Sequence, residues 1–243
     1  MILDIDIGNS FVKWRLSDGA EVRQFGSQST KSIGQQRGLD LPEEVSISQA
    51  RLSSVAASSV QNALVTQIKN QFNAKVTLAK VSSTAAGVRC GYADPSSLGV
   101  DRWLAVVAAY HLYQTSLLIV DAGSAMTLDL VSEDGRHLGG YILPGLTLMR
   151  DALWRGTDRV KVDMEVDECG IDPGMDTITA VNHGSLLAAI ATVEKLANQY
   201  QSKVVVTGGD AKKLLPYLHP NIDYLPDLVL DGLALAAIST IKL

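Results

Sequence analysis

The sequence lacks the features that mark several large classes of protein. Its 243 residues include two cysteines, Cys90 and Cys169, which stand far apart and outside any Cys-x-x-Cys pattern. This spacing excludes a disulfide framework and a cysteine-based zinc site, and it favours two ordinary packing residues. A net charge of −5 and the lack of a Lys/Arg cluster argue against nucleic acid as a partner.

Long apolar runs and the familiar phosphate-binding motifs are also missing. No run reaches the roughly 20 residues of a membrane-spanning helix, and the N-terminus shows neither a basic region nor a cleavage site. We therefore expect a cytoplasmic protein without membrane contact. There is no Gly-x-x-x-x-Gly-Lys-Ser/Thr, no Gly-x-Gly-x-x-Gly, no protein-kinase catalytic loop and no nucleophile elbow. Any nucleotide site must be built from another motif.

One short motif is present twice. Asp6-Ile7-Gly8-Asn9 follows an apolar strand pattern, and Asp121-Ala122-Gly123-Ser124 follows another one 115 positions later (121 − 6). In each copy a returning strand, Ser10 to Leu16 or Ala125 to Val131, leads to an Asp-Gly turn. The glycine lets a phosphate approach the backbone, and the aspartate stands where a hydrated metal ion would bind. A single Asp-x-Gly can simply mark a turn, whereas two such hairpins at matched positions are expected to hold a nucleotide from both sides.

With 243 residues the chain could form one large domain or two, and the duplicated motif favours two, 1–113 and 114–243. The hydrophobic pattern predicts an α/β protein. The predicted elements are strands 2–7, 10–17 and 21–25, a mobile polar connection 26–38, strand 51–57, helix 59–72, strand 74–81, a loop 84–98, a linking helix 100–113, strands 117–121, 125–132 and 137–143, a short helix ending at Trp154, helix 177–200, strand 203–207, a helix starting near Asp210, and a C-terminal helix 232–241. The acidic segment 163–168 could bind a metal or form a solvated edge, and it has no glycine placed for a calcium loop.

Four ordered motifs carry a resemblance to a known family. They are Asp6-Ile7-Gly8-Asn9-Ser10 with Lys13, Gly99-Val100-Asp101-Arg102, Asp121-Ala122-Gly123-Ser124-Ala125 with Thr127 and Asp129, and Gly139-Gly140-Tyr141-Ile142-Leu143-Pro144-Gly145. Over nearly the whole chain they resemble type III pantothenate kinase, more specifically than the wider superfamily of sugar and acetate kinases, actin and the large heat-shock chaperones. The resemblance implies two duplicated ribonuclease H-like (actin-like ATPase) domains, each with a mixed sheet flanked by helices.

The same resemblance implies an activity and its requirements. These are ATP-dependent phosphorylation of pantothenate to 4′-phosphopantothenate, the first step of coenzyme A synthesis, by a cytoplasmic homodimer that needs Mg²⁺ and K⁺ or NH₄⁺. The residues it assigns are Asp6, Gly8, Asn9, Ser10, Lys13 and Ser124 to the ATP phosphates, Tyr92, Gly99, Val100, Asp101 and Arg102 to pantothenate, Asp121 to the monovalent cation, and Thr177 to a substrate contact across the dimer interface. Ser10 and Ser124 stand where the family usually has Thr, and both keep the hydroxyl.

The chemistry of these residues allows a functional role for each and also a purely structural one. Asp101, in the first turn of a helix, could orient a primary hydroxyl and accept its proton, or it could simply cap the helix. Arg102 offers a planar fork to a carboxylate, or forms a surface ion pair. Asp6 is expected to act through Mg²⁺-bound water. Gly208-Gly209 has the form of a turn that ATP approaches, or of a simple tight turn.

Two other classes of function compete with a small-molecule kinase. A non-catalytic, nucleotide-binding regulator of the same fold would be expected to lose the acidic or phosphate-contacting residues, yet Asp6, Lys13, Asp101 and Asp121 are all present. A phosphatase that hydrolyses ATP or polyphosphate needs a water-positioning group instead of an acceptor site. The Asp101-Arg102 pair suits an acceptor that carries both a hydroxyl and a carboxylate.

Overall fold

The computed structural model describes residues 1–33, 38–42, 45–157, 170–236 and 238–240. The chain divides into two compact units, Met1–His111 with Asp227–Leu243, and Leu112–Pro226. The division near residue 111 lies close to the predicted one after residue 113. The segment from Asp227 onward differs from the prediction, because it joins the first unit rather than the second. The acidic segment 163–168 and Cys169 lie outside the described residues.

The first unit is built on a six-stranded mixed sheet. Its elements are β1 (Ile2–Ile7), β2 (Phe11–Asp18), β3 (Glu21–Ser29), α1 (Thr30–Ser32), β4 (Gln49–Ser54), α2 (Ser58–Phe72), β5 (Lys75–Ala79), the two-residue strands β6 (Thr84–Ala85) and β7 (Val88–Arg89), and α3 (Val100–Tyr113). The chain order β1-β2-β3 is antiparallel, while β4 runs parallel to β1 and β5 parallel to β4.

The second unit repeats this plan in a five-stranded sheet. Its elements are β8 (Leu117–Ala122), β9 (Ala125–Val131), β10 (His137–Pro144), α4 (Leu146–Gly156), α5 (Thr177–Tyr200), β11 (Lys203–Thr207), α6 (Ala211–Leu214) and β12 (Asp223–Tyr224). The sheet order β10-β9-β8-β11-β12 matches the order β3-β2-β1-β4-β5 of the first unit, with the same strand directions. The predicted fold class, duplicated mixed sheets flanked by helices, is confirmed.

The two copies differ by one residue in the turn of the hairpin. Lys13 lies opposite Asp6 in the first sheet, and Thr127 lies opposite Asp121 in the second. The first strands therefore match at a spacing of 115, but the returning strands match at 114 (127 − 13). The predicted returning strand is present in both copies, and the second turn is one residue shorter than the first.

Each unit has its own hydrophobic core, made where the apolar stripe of a helix meets one face of the sheet. In the first unit α2 buries Leu64, Val65 and Ile68 against β1, β2 and β4. In the second unit α5 packs on the sheet through residues such as Ile190. Helix α5 begins at a capping box formed by Asp176 and Thr179, which satisfies amides that the first turn leaves unpaired.

The C-terminal prediction, a helix over 232–241, is wrong. The structure has α7 (Leu228–Gly232) and then β13 (Ile238–Thr240), which pairs antiparallel with β5 at the edge of the first sheet. Gly232 packs so closely on α3 that a side chain there would overlap the Leu104 carbonyl oxygen. This contact and the sheet edge hold the chain where periodicity alone suggested one helix.

Two predicted loops also contain regular structure. The polar connection expected over 26–38 begins inside β3, which continues to Ser29. The loop expected over 84–98 holds the β6–β7 hairpin and a 3₁₀ turn, Pro95–Ser97, that Asp94 caps. None of the helices in the described ranges combines the length and the hydropathy needed to span a bilayer.

Candidate active site

The turn after β1 is held open to solvent by hydrogen bonds from its own backbone and from α1. Gly8 N donates to Phe11 O at 3.0 Å, and Thr30 N donates to Ser10 O at 2.9 Å. The Thr30 hydroxyl adds a bond to Gly8 O at 2.8 Å. Asn9 and Ser10 remain exposed at the tip, so the turn can present their polar groups and amides to an anion.

The turn after β8 is built in the same way. Gly123 N donates to Ala125 O at 3.1 Å, and Gly145 N, just after β10, donates to Ser124 O at 3.1 Å. A side chain at position 145 would overlap the Gly123 carbonyl oxygen, so only glycine fits there. Ser124 is exposed at the tip, as Ser10 is in the first copy.

Gly208 and Gly209 follow β11 and differ in what they allow. Gly208 has a φ of +96°, and a Cβ there would overlap Ala122 O and lie 2.5 Å from Asp121 Oδ1. Nothing lies within 4 Å of a Cβ at Gly209. Asp210 N then donates to Ala122 O at 2.9 Å. Gly208 is therefore required by its packing against the acidic turn, whereas Gly209 has open space around it.

Charge distinguishes the two hairpins. The first places the half-buried Lys13 opposite the half-buried Asp6, and the second places Thr127 opposite the half-buried Asp121. Residues opposite each other in antiparallel strands have Cβ atoms roughly 5 Å apart, so Lys13 and Asp6 belong to one local charge environment. The first hairpin therefore has an ammonium group beside its turn, and the second has a threonine hydroxyl at that position.

A buried ion network lies two residues behind this pair on the same face of the sheet. Asp4 is 0% exposed and accepts from Arg51 Nε at 2.6 Å and Nη2 at 2.9 Å. Arg15 Nη2 reaches Asp4 at 3.4 Å, and Arg15 Nη1 donates to Asp231 of α7 at 2.5 Å. Burial opposes the charge of Arg15, but the pairing with Asp231 and Asp4 prevails and raises its pKa.

Sequence reasoning missed this network, although one signal was present. Asp4 and Asp6 alternate with the buried residues Leu3, Ile5 and Ile7, which puts both carboxylates on one face of β1. The partners on β2, β4 and α7 could be known only from the fold. The network connects the C-terminal helix to the strand that carries Asp6.

The start of α3 brings five of the predicted substrate residues together. Arg102 is 7% exposed; its Nη1 donates to the Tyr92 hydroxyl at 3.1 Å, and its guanidinium lies 5.9 Å from the centre of the Tyr92 ring. Asp101 Oδ1 accepts from Arg102 N at 2.8 Å, and a Cβ at Gly99 would lie 2.7 Å from that same oxygen. Val100, the first residue of α3, is half-buried.

This geometry bears on the alternatives for Asp101 and Arg102. A surface ion pair does not describe Arg102, because its side chain is buried against Tyr92. Asp101 does bond a backbone amide of the first turn, as a helix cap does. A carboxylate beside a buried guanidinium can bind the two ends of a small polar acceptor.

Several other candidates have structural surroundings. Asp129, part of the third motif, is buried and lies 2.8 Å from Nε2 of the buried His137. This contact links strands β9 and β10 of the second sheet. The expected core packing of tryptophan is confirmed for Trp14 and Trp103, but Trp154 is 37% exposed. Cys90 is half-buried rather than a full core residue. Thr177 is the first residue of α5, is exposed, and belongs to the second unit.

Comparison with known proteins identifies the family. The model of the type III pantothenate kinase family matches residues 2–199. The chain belongs to the type III pantothenate kinase family. A relative of that name from Chromohalobacter salexigens is 41% identical and is covered over 86% of its length by 96% of this chain. Another from Ectopseudomonas mendocina is 42% identical, with 97% of this chain covering 98% of that protein.

Solved structures show the fold over nearly all of the chain. A Campylobacter jejuni protein titled as a member of the Baf family has a TM-score of 0.61 at 22% identity, with 96% of this chain and 95% of that chain covered. A chain of a PilM–PilN type IV pilus biogenesis complex has a TM-score of 0.54 at 11% identity, with 96% of both chains covered. The family and the enzyme class predicted from the motifs, a pantothenate kinase that uses ATP, are confirmed.

Proposed function

We propose that the protein transfers the γ-phosphoryl group of ATP to the 4′-hydroxyl of pantothenate, the first step of coenzyme A synthesis. Family membership supplies the activity. The observation that supports specific roles for residues is the arrangement at the start of α3. There Asp101 lies next to the buried Arg102, and Arg102 donates a hydrogen bond to Tyr92. We also propose a cytoplasmic location for the enzyme.

Pantothenate carries a carboxylate and a primary hydroxyl, which match the two charged groups at this helix end. The Arg102 fork binds the carboxylate, and Tyr92, Gly99 and Val100 line the same site. Asp101 orients the hydroxyl and accepts its proton while the hydroxyl oxygen bonds to the γ-phosphorus. The bond from that phosphorus to the β–γ bridging oxygen breaks, and ADP leaves. Positioning does most of the catalytic work, because the transition state is loose.

The ATP phosphates bind the exposed turn tips and the cation beside them. In the first unit the phosphates contact Gly8, Asn9 and Ser10, and Lys13 offsets their charge. In the second unit the phosphates contact Ser124 and the turn at Gly208 and Gly209. The support for these assignments is the matching backbone hydrogen bonding of the two turns, which leaves both tips exposed.

Magnesium fits the donor chemistry at Asp6. Carboxylate oxygen is a ligand that Mg²⁺ favours, and the described residues contain no cluster of three or more His, Cys, Asp or Glu side chains that could hold a metal by themselves. Asp6 would therefore hold the ion largely through water, with the phosphates as the other ligands. When bound, the ion neutralises the charge that develops on the transferring phosphoryl group.

We also place the monovalent cation, K⁺ or NH₄⁺, at Asp121. The absence of a side chain at Gly208 leaves Asp121 Oδ1 and the Ala122 carbonyl oxygen on the same side of the turn. Two oxygens of this kind suit a large, weakly hydrated cation. Replacing K⁺ by Na⁺ should lower the rate sharply in the parent protein, and an Asp121→Asn variant should lose that selectivity.

The enzyme is proposed to act as a homodimer in which Thr177 reaches the substrate site of the partner. Thr177 is exposed, and large apolar side chains are exposed near it in sequence or on the neighbouring helix α4. They are Leu148, Leu153, Met175 and Leu187. A second copy covering this apolar surface would remove it from water.

Complementation between two inactive variants tests the shared site. Asp101→Asn and Thr177→Ala protomers are unfolded together, refolded together and assayed as a mixture. A mixed dimer contains one site with both Asp101 and Thr177 intact, so activity should return to a measurable fraction of the parent. Monomeric protein by light scattering, or no recovery on mixing, would contradict the dimer.

The activity itself is tested with ATP, Mg²⁺, K⁺ and labelled pantothenate. Phosphorylated product is expected from the parent, and Asp101→Asn should lower kcat by about 10²–10⁴-fold, the usual range for a general base. Asp18→Asn is a matched control, since that aspartate is exposed at the end of β2. ATP binding without product would favour the regulator, and phosphate release without acceptor would favour the phosphatase.

A further inference from the structure

A row of three polar residues crosses three neighbouring strands of the first sheet. Lys13 on β2 lies opposite Asp6 on β1, and Asp6 is in turn aligned with Ser53 on the parallel strand β4. One step back on the same face, Arg51 is aligned with Asp4 and bonds it directly, at 2.6 Å. Because side chains alternate along a strand, Ser53 projects to the same face as Arg51 and stands beside Asp6.

Ser53 is buried without an evident role in the fold. Its side chain is 0% exposed, and its Oγ has no hydrogen-bond partner among the residues that the structure describes. A buried polar group without a partner destabilises the fold, and an alanine would fill this strand position without that cost. The hydroxyl therefore calls for a functional explanation.

The location suggests what the hydroxyl serves. Ser53 lies next to the last residue of β4, at the carboxyl end of a strand parallel to β1, where ligands of open α/β sheets bind. The Oδ1 atom of Asp6 is also buried. Neighbouring strands lie roughly 4.8 Å apart, so a rotation about the Ser53 side-chain bond can bring its hydroxyl within hydrogen-bond distance of that carboxylate. Ser53 is too deep to meet a nucleotide itself.

We propose that Ser53 is a positioning residue that donates a hydrogen bond to Asp6 and orients this carboxylate toward hydrated Mg²⁺ when the nucleotide is bound. The inference rests on the proposed function, because it assumes that Asp6 faces the metal. Partners behind a metal-binding carboxylate fix its direction, and their loss typically lowers metal affinity 10- to 100-fold. Ser53 would supply that support from the strand next to Asp6, on the side opposite Lys13.

The test compares Ser53→Ala with Ser54→Ala. Ser54 is the next residue on β4, its Oγ is likewise buried with no hydrogen-bond partner in the described ranges, and it projects to the opposite face of the sheet. Both variants lose one buried hydroxyl, so any general effect on packing should be shared. Binding of ADP is measured by calorimetry with Mg²⁺ and with a chelator, and kinase activity is titrated with Mg²⁺.

For Ser53→Ala we expect ADP to bind at least tenfold more weakly in Mg²⁺, with unchanged binding in the chelator. The Mg²⁺ concentration for half-maximal activity should rise by a similar factor, while the KM for pantothenate stays the same. Ser54→Ala should match the parent in both assays. A Ser53→Ala variant with parental Mg²⁺ dependence would overturn the inference, whatever its stability.

The outcomes separate this inference from the proposed function. If the parent makes phosphopantothenate and only the effect of Ser53→Ala is missing, the inference alone fails. If the parent binds ADP in a Mg²⁺-dependent way but phosphorylates no pantothenate, the function fails while the calorimetric comparison still decides the role of Ser53. A parent without Mg²⁺-dependent ADP binding would overturn both.

Discussion

Removing the charge of Asp4 should destabilise the first unit strongly. The Asp4 side chain is 1% exposed, and its partners Arg15 and Arg51 are 12% and 16% exposed. An Asp4→Asn substitution keeps the shape of the side chain but leaves two guanidinium groups without their common counter-ion. Removing one partner of a buried ion pair usually costs about 3–5 kcal/mol. We expect the lower end, about 3 kcal/mol, because both arginines retain some contact with water and Asp231 still pairs with Arg15.

Urea unfolding followed by tryptophan fluorescence can measure this loss. Trp14 and Trp103 both lie in the first unit and are buried, so they report on its unfolding. For a domain of this size a loss of about 3 kcal/mol corresponds to a melting temperature lower by about 6–12 °C. Asp18→Asn is the matched control, because Asp18 is 66% exposed and lies 3.9 Å from Arg23. It should change the free energy of unfolding by less than about 0.5 kcal/mol.

One result would refute the reasoning. If Asp4→Asn unfolds at the same urea concentration and with the same m-value as Asp18→Asn, the buried network contributes nothing beyond an exposed pair. A changed m-value would instead mean that the unfolded or native state had changed its compactness. The comparison must then be made by calorimetry.

Three further predictions concern other parts of the molecule. Gly208→Ala should lose at least about 1–2 kcal/mol of unfolding free energy, because a φ of +96° disfavours a side chain and a Cβ would also overlap the Ala122 carbonyl oxygen. In the same urea assay Gly209→Ala should change the free energy of unfolding by less than about 0.5 kcal/mol. Burial and a hydrogen bond to Asp223 raise the pKa of Tyr113 to about 12. Stability should therefore fall between pH 10 and 12, because only the unfolded chain loses this proton in that range. The corresponding tyrosine titration of the native protein, followed by ultraviolet absorbance, should be absent in Tyr113→Phe. The hydrogen bond from the Thr179 amide at the start of α5 lowers the pKa of Asp176. The stabilisation of the fold by this carboxylate is complete above the ordinary pKa of 3.8 and is lost as the pH falls through the lowered pKa. The melting temperatures of the parent and of Asp176→Ala should therefore converge in acid.

The sequence predicted the elements whose signals are local. The helices Val100–Tyr113 and Thr177–Tyr200 and the strand Lys203–Thr207 have the predicted bounds, because each combines a clear period with a turn or cap at its start. The duplicated hairpin was also visible, since two copies of Asp-x-Gly after apolar strands at matched positions are unlikely by accident. The start of α3 could be named as a site because its motif is contiguous.

Long-range packing could not be predicted in the same way. The apolar run 232–241 is compatible with a helix or a strand. Its residues 238–240 form a strand because they pair with β5 at the edge of the first sheet. Arg15 and Asp231 are 216 positions apart, and no pattern along the chain connects them. Ser53 resembled any small strand residue until the register placed it beside Asp6.

The return of α7 and β13 to the first sheet has a consequence for the order of events at the ribosome. Residues 112–226 form one uninterrupted stretch, so the second unit emerges complete while translation continues. The first unit starts earlier but receives Asp231 and its edge strand only after the whole second unit has been translated. A nascent chain stalled before residue 227 therefore carries an unfinished N-terminal half, with Arg15 missing one of its two carboxylates.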